Sequence, residues 1–269
     1  RRGEASRVDR GGLFHVEPVD LILLCAAAFA AGLVDAVVGG GGLIQIPALF
    51  SVQPQAQPAT IFGTNKLASI FGTASAALRY SRRIDVPWRA ALPAAFSAFV
   101  MSYFGAMTVS LLPKEWLRPL VLLLLIVVTA YTYVRKNLGA VDQNRVHGRR
   151  DMLLAVFFGG VIGFYDGFFG PGTGSFLVFM FVRFFGLDFL RASASAKIVN
   201  AATNLAALLY FGANTHVLLA IGLAMAAFNI GGSLVGSHLA IRHGAAFVRR
   251  VFLGVAVVFI VKFAWDTFG

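Results

Sequence analysis

Charge is scarce in this chain, and so are acids and thiols. Of 269 residues only 13% are charged, 12 are Asp or Glu, and one is cysteine. A soluble domain carries about 25% charged residues. With half that share, 58% hydrophobic residues and a mean hydropathy of +0.77, the chain reads as an integral membrane protein. The single Cys25 excludes an internal disulfide and a thiolate cluster. No Ser/His/Asp set, paired carboxylates or metal-ligand spacing can be found, so the expectation is no enzyme, no metal and no cofactor. The short alternating strands of a transmembrane barrel are also missing, which leaves an all-α polytopic protein.

What the chain does have is long apolar tracts, at about 19–38, 59–78, 90–112, 116–134, 151–169, 189–211, 215–241 and 245–266. Most approach the roughly 20 residues a helix needs to cross the hydrocarbon. Two further tracts, 43–50 and 174–185, are too short and read as half-depth helices or second arms of broken ones. The net charge of +11 sits in loops, around 79–89, 135–150 and 242–250. That is the positive-inside pattern of cytoplasmic loops, so nucleic acid is not an expected partner. Residues 21–31 followed by Ala28-Phe-Ala30 resemble a signal peptide, but cleavage there would cut into the repeat described next.

The segment Gly32-Leu-Val-Asp35-Ala-Val-Val-Gly39-Gly-Gly41-Gly returns 131 positions later as Gly163-Phe-Tyr-Asp166-Gly-Phe-Phe-Gly170-Pro-Gly172-Thr. The offset holds onward: Lys66 matches Lys197, Ser102 matches Ser233, Gly105 matches Gly236 and Arg118 matches Arg249. The chain therefore divides into a polar tail (1–18), a first transmembrane repeat (19–138), a cytoplasmic linker (139–150) and a second repeat (151–269), with one site between the repeats. Four spans per half make the repeats parallel; five, with the short tract returning, make them inverted. Loop charge favours inversion, which puts Arg183, Arg191, Arg242, Arg249 and Arg250 inside, whereas Arg1, Arg2, Arg7 and Arg10 argue the other way.

Glycine breaks are tolerated at membrane depth where the freed backbone is buried in protein or lines a cavity. Broken helices also present N–H groups and a positive dipole end that favour an anion. Gly41 and Gly42, and Gly172, Thr173, Gly174 and Ser175, have that character; close helix packing through small residues is the bland alternative. Without a following Lys-Ser/Thr, the glycine run is not a P-loop. Lys66 and Lys197 each interrupt an apolar helix, at a cost of about 2.5–3.5 kcal/mol unless partnered. Thr64, Asn65, Ser195, Asn200 and Asn204 lie beside them as hydrogen-bonding groups, and Gln45 follows the first glycine run. The lysines either hold a small anion or pair within their own halves, Asp35 with Lys66 and Asp166 with Lys197. Both arrangements coexist if the aspartates release the lysines on protonation, which makes Asp35 and Asp166 coupling candidates.

Gly32-x-x-Asp35-x-x-x-Gly39-Gly-Gly41-Gly-x-x-x-x-Pro47, Gly63-Thr-Asn-Lys66, the second glycine motif through Gly174-Ser175, and Ser195-Ala-Lys197-x-x-Asn200 resemble the TauE/SafE family of sulfite exporters and anion permeases. The resemblance covers nearly the whole chain after residue 18. It implies a secondary transporter of the bacterial inner membrane for sulfite, thiosulfate or an organosulfonate, working by alternating access. An anion channel, or a permease for a non-sulfur organic anion, is the alternative. Expected partners are the small anion and the lipid bilayer, with protons and a second copy of the chain as further candidates. The chain departs from the pattern at Ala196, where the first half has Asn65.

Overall fold

The computed structural model describes residues 17–109, 126–127, 130, 133–134 and 148–268. The tail, the tract at 116–134 and the linker fall wholly or largely outside those residues. The ordered elements are α1 (Pro18–Val38), α2 (Gly42–Val52), α3 (Pro58–Ser81), α4 (Trp88–Met107), α5 (Arg149–Phe168), α6 (Thr173–Phe185), α7 (Phe189–Asn214) and α8 (Leu219–Phe268). Among the described residues every element is helical, and α8 is kinked at Gly244. Prolines at the first turn start α1 and α3, where no backbone donor is lost. Asp188 caps α7 by accepting from the N–H groups of Leu190 and Arg191.

Four of these helices are long and apolar enough to cross a membrane: Pro18–Val38, Trp88–Met107, Arg149–Phe168 and the Leu219–Val258 part of α8. The short tracts appear as α2, 11 residues, and α6, 13 residues. Helices α3 and α7, at 24 and 26 residues, are long enough to cross but carry the buried polar groups. The linker ends earlier than its composition suggests, because the Asp151 carboxylate accepts from the Gly148 N–H and caps the start of α5 at Arg149. The 131-residue offset carries the start of α1 to the start of α5, and likewise α2 to α6, α3 to α7 and α4 to α8.

Contact register gives the helix directions. Ala28, Phe29 and Leu33 of α1 meet Asn229, Gly232 and Gly236 of α8, so the two run parallel. Ala94, Ala98 and Ser102 of α4 meet Gly159, Gly163 and Gly167 of α5, again parallel. Thr64, Leu67 and Gly72 of α3 meet Leu218, Gly222 and Asn229 of α8, a third parallel pair. Between α3 and α7 the register reverses: Gly63 faces Phe211 and Lys66 faces Asn204. Gln45–Ser69 and Phe50–Phe62 make α2 antiparallel to α3, and Phe158–Phe184 and Tyr165–Phe176 make α6 antiparallel to α5. Thus α1, α3, α6 and the first part of α8 run one way, and α2, α4, α5 and α7 the other.

These directions gather the described arginines at one end of the bundle. Arg79, Arg82, Arg83 and Arg89 lie at the α3–α4 turn, Arg149 and Arg150 at the start of α5, Arg183 and Arg191 at the α6–α7 turn, and Arg242, Arg249 and Arg250 around Gly244. The turns at the other end, 53–57 and 215–218, contain no lysine or arginine.

Lipid gives apolar helix faces little reason to associate, so packing rests on close backbone approach. Gly159, Gly163 and Gly167 form a ridge at intervals of four on α5, and an added Cβ at any of them would overlap the α4 backbone. A Cβ on Gly32, Gly232 or Gly236 would likewise strike backbone across the α1–α8 contact. Gly163→Ala is therefore expected to lower stability by ~1–3 kcal/mol. Gly254→Ala, whose new methyl meets nothing, should be neutral or stabilising by up to ~1 kcal/mol. Thermal unfolding in detergent reads both; equal losses would contradict the packing assignment.

Candidate functional site

Asp35 and Asp166 sit in the last turns of α1 and α5, just before each helix breaks. The unpaired carbonyls there carry the negative end of the helix dipole, so a buried carboxylate needs a cation close by. Lys197 Nζ donates to Asp35 Oδ2 at 2.9 Å, and Lys66 Nζ donates to Asp166 Oδ2 at 2.6 Å. Relative exposures are 9% for Asp35, 3% for Lys66, 2% for Asp166 and 0% for Lys197.

The partners are not those of the within-half expectation: each pair joins one half to the other. Helix height explains the exchange. Tyr80 Oη donates to Ala36 O and Thr73 Oγ1 to Asp35 Oδ2, so Asp35 is level with residues 73–80 of α3. Lys66 lies at least seven residues earlier, roughly 10 Å along the axis. Helix α7 runs the opposite way, so its lysine comes level with Asp35 while Lys66 comes level with Asp166.

The freed carbonyls at the end of α1 are satisfied by hydroxyls from three other helices. Tyr80 bonds Ala36 O, Ser193 Oγ bonds Val37 O at 2.7 Å, and Ser175 Oγ bonds Val38 O at 3.2 Å. Gly39 and Gly40 take positive φ of 83° and 100°, and Gly170 and Gly172 take 87° and 84°. Only glycine adopts such backbone readily. Gly39 and Gly174 press backbone to backbone with no room for a Cβ on either, which brings the two breaks together.

A hydrogen-bonded chain connects the two ion pairs. Lys66 Nζ also donates to Asn204 Oδ1 (3.1 Å), Asn204 Nδ2 to Thr73 Oγ1 (3.3 Å), and Thr73 Oγ1 to Asp35 Oδ2 (3.4 Å). Thr73 and Asn204 are counterparts under the 131-residue offset. Beside this chain lies a small polar cavity of about 20 Å³ at the centres of a water-sized sphere, room for about one water.

Of the residues singled out from sequence, Asp35, Gly41, Gly42, Gln45, Asn65 and Lys66 line this cavity from the first half. Asp166, Gly174, Asn200 and Asn204 line it from the second. Lys197 does not reach it and stands behind Asp35. Thr64 and Ser195 bond the carbonyls of Thr60 and Arg191 one turn back, and Thr64 also accepts from Leu218 N. Thr173 bonds Gly170 O, Ser175 bonds Val38 O, and Gly172 caps α6, so these three serve the breaks themselves. The lining also takes in Gly40, Ser69, Thr73, Gly170 and Asn229. Gly40 and Gly170 belong to the two glycine runs and Ser69 lies beside Lys66, so the sequence already pointed to them. For Thr73 the repeat held the signal, since it is the offset counterpart of Asn204.

Two amides in the wall lack partners. Gln45 Oε1 accepts from Ser69 and Asn229, which leaves Nε2 a buried donor without an acceptor. Asn65 Oδ1 is buried and likewise unpaired. The N–H groups of Gly40, Gly41 and Gly42 open α2 at the same wall, and α2 directs its positive end there. The arrangement offers one cavity-facing ammonium, two carboxylates and several amides, which is chemistry for binding a small polar ion.

Comparison with known proteins gives the family. The family model for the sulfite exporter TauE/SafE matches residues 24–263. A probable membrane transporter protein, ORF9, of Sinorhizobium sp is 36% identical over 257 residues, covering 94% of each chain. The probable membrane transporter protein YfcA of Escherichia coli K12 is 36% identical over 258 residues, 96% of this chain and 94% of its own. A probable membrane transporter protein of Haemophilus influenzae is 30% identical over 249 residues, 92% of this chain and 96% of its own. No solved structure matches the chain. An all-helical chain with several apolar helices and a polar cavity where two broken helices meet thus belongs to the TauE/SafE family of membrane transporters.

Proposed function

We propose that the protein is a secondary transporter that moves a small sulfur oxyanion or sulfonate across the bacterial inner membrane by alternating access between two inverted repeats. The observation that carries this reading is the pair of buried lysine–aspartate bonds, each joining one half to the other, whose two aspartates line a small polar cavity. Inversion is supported by direction: α1 and α5 run oppositely, as do α2 and α6, α3 and α7, and α4 and α8. The arginine-rich end is then cytoplasmic.

The ion pairs stand at different depths. Lys197 lies eight residues into α7 from the arginine-rich end, and Lys66 eight residues into α3 from the other end. At ~1.5 Å per residue each is roughly 12 Å from its own face. Opening one pair while the other holds exposes the cavity to one side, which is what alternating access needs. The substrate meets Lys66, Gln45, Asn65, Asn200, Asn204 and the α2 amides. Lys197 acts through Asp35. Protons couple through the aspartates, each freeing its lysine when protonated. The cavity has room for about one water and, among the described residues, forms no wide pore, which supports a carrier over an anion channel.

Two outcomes are expected. Arg83 and Asn214 are offset counterparts, both exposed. In a Cys25→Ala background, Asn214→Cys should react with an impermeant maleimide from outside intact cells, and Arg83→Cys only after permeabilisation. Labelling of both from one side would overturn the inversion. In proteoliposomes, Lys66→Ala should reduce sulfite flux at least ~10-fold in protein that still inserts, since breaking a buried pair typically costs ~3–5 kcal/mol. Asp166→Asn should flatten the pH dependence of flux. Normal flux in the lysine variant would sink the site.

A further inference from the structure

Lys66, Lys197, Asp35 and Asp166 sum to zero charge, and the cavity wall contains no other ionisable side chain. The wall itself is not purely basic. Among the described residues, Asp35 and Asp166 each use only Oδ2 in hydrogen bonds, which leaves both Oδ1 atoms to accept from a ligand. Asn65 Oδ1 is a third. Against these stand Gln45 Nε2, the N–H groups that open α2, and one remaining N–H of Lys66, which spends two of its three on Asp166 and Asn204.

A ligand that satisfies such a wall must carry both acceptor oxygens and little charge. A dianion would meet Lys66, Gln45 and the α2 amides, but its second charge would face two carboxylate oxygens and leave the buried site at −2. A monoanion leaves −1, which one proton on Asp35 or Asp166 cancels while the other ion pair holds. A dianion is cancelled only by protons on both, which breaks both ion pairs at once. An oxyanion that keeps an O–H, such as hydrogensulfite, can also donate to a carboxylate oxygen. A buried charge without a partner is among the most costly features a protein interior can hold.

We propose that this site selects singly charged oxyanions and rejects dianions, with Asp35 and Asp166 as the groups that set the limit. The inference rests on the anion-transport reading above and narrows it: hydrogensulfite and small monosulfonates fit, whereas thiosulfate and sulfate do not.

The test is equilibrium binding to the purified full chain at one pH and ionic strength. The probes are methanesulfonate, a fixed monoanion, and sulfate and thiosulfate, fixed dianions, followed by calorimetry and thermal shift. Wild type should bind methanesulfonate at least ~100-fold more tightly than either dianion. Asp35→Asn and Asp166→Asn should each tighten sulfate binding ~10-fold or more, a gain that misfolding cannot imitate. Sulfate binding as tightly as methanesulfonate in wild type would overturn the selection and leave anion transport standing. That comparison alone decides the matter if the variants do not fold. Failure of all three anions to bind would overturn the anion reading and this inference together.

Discussion

A carboxylate in the last turn of a helix that breaks inside a membrane faces two penalties together. It is removed from water, and it lies at the negative end of its own helix. Asp35 and Asp166 both occupy such a position, and each is offset by a lysine from the other half. Neither half therefore pairs its own carboxylate. The backbone contact between Gly39 and Gly174 follows from the same constraint, because the breaks must lie close together for each lysine to reach the far carboxylate. The glycine ridge on α5 and the matching approach of α8 to α1 then hold the halves in register along their length.

This construction makes the site depend on the interface between the halves. The walls come from both halves, which are joined by a shared apolar core, small-residue backbone contacts, two ion pairs and a short polar chain. Each ion pair is strong while dry and weakens once water or an anion competes for the lysine. The Thr73–Asn204 bond links the two pairs at the midpoint, so a change at one can be felt at the other through side chains already in contact.

Much of this was legible before any coordinates. The 131-residue offset anticipated which helices correspond, and Asp35, Lys66, Asp166 and Lys197 stood out as ionisable groups in apolar tracts. The short tracts after each glycine run became α2 and α6 close to their expected limits. Hydroxyls were the least legible class. Thr64 and Ser195 flank the lysines in sequence, yet each bonds a carbonyl one turn back along its own helix, as such side chains commonly do. Thr73 drew no notice in its small-residue surroundings, although its counterpart Asn204 marked the same position.

The sequence by itself determined the membrane class, the helical elements, the twofold repeat and the four buried charges, because each follows from composition or from identity at a fixed offset. Only the tertiary structure decided which lysine meets which aspartate, and which polar groups face the cavity rather than their own backbone. Pairing depends on the heights at which oppositely directed helices cross, and facing depends on the turn of each helix about its axis. Neither quantity is a property of a single segment. Both arise when the two halves are packed together.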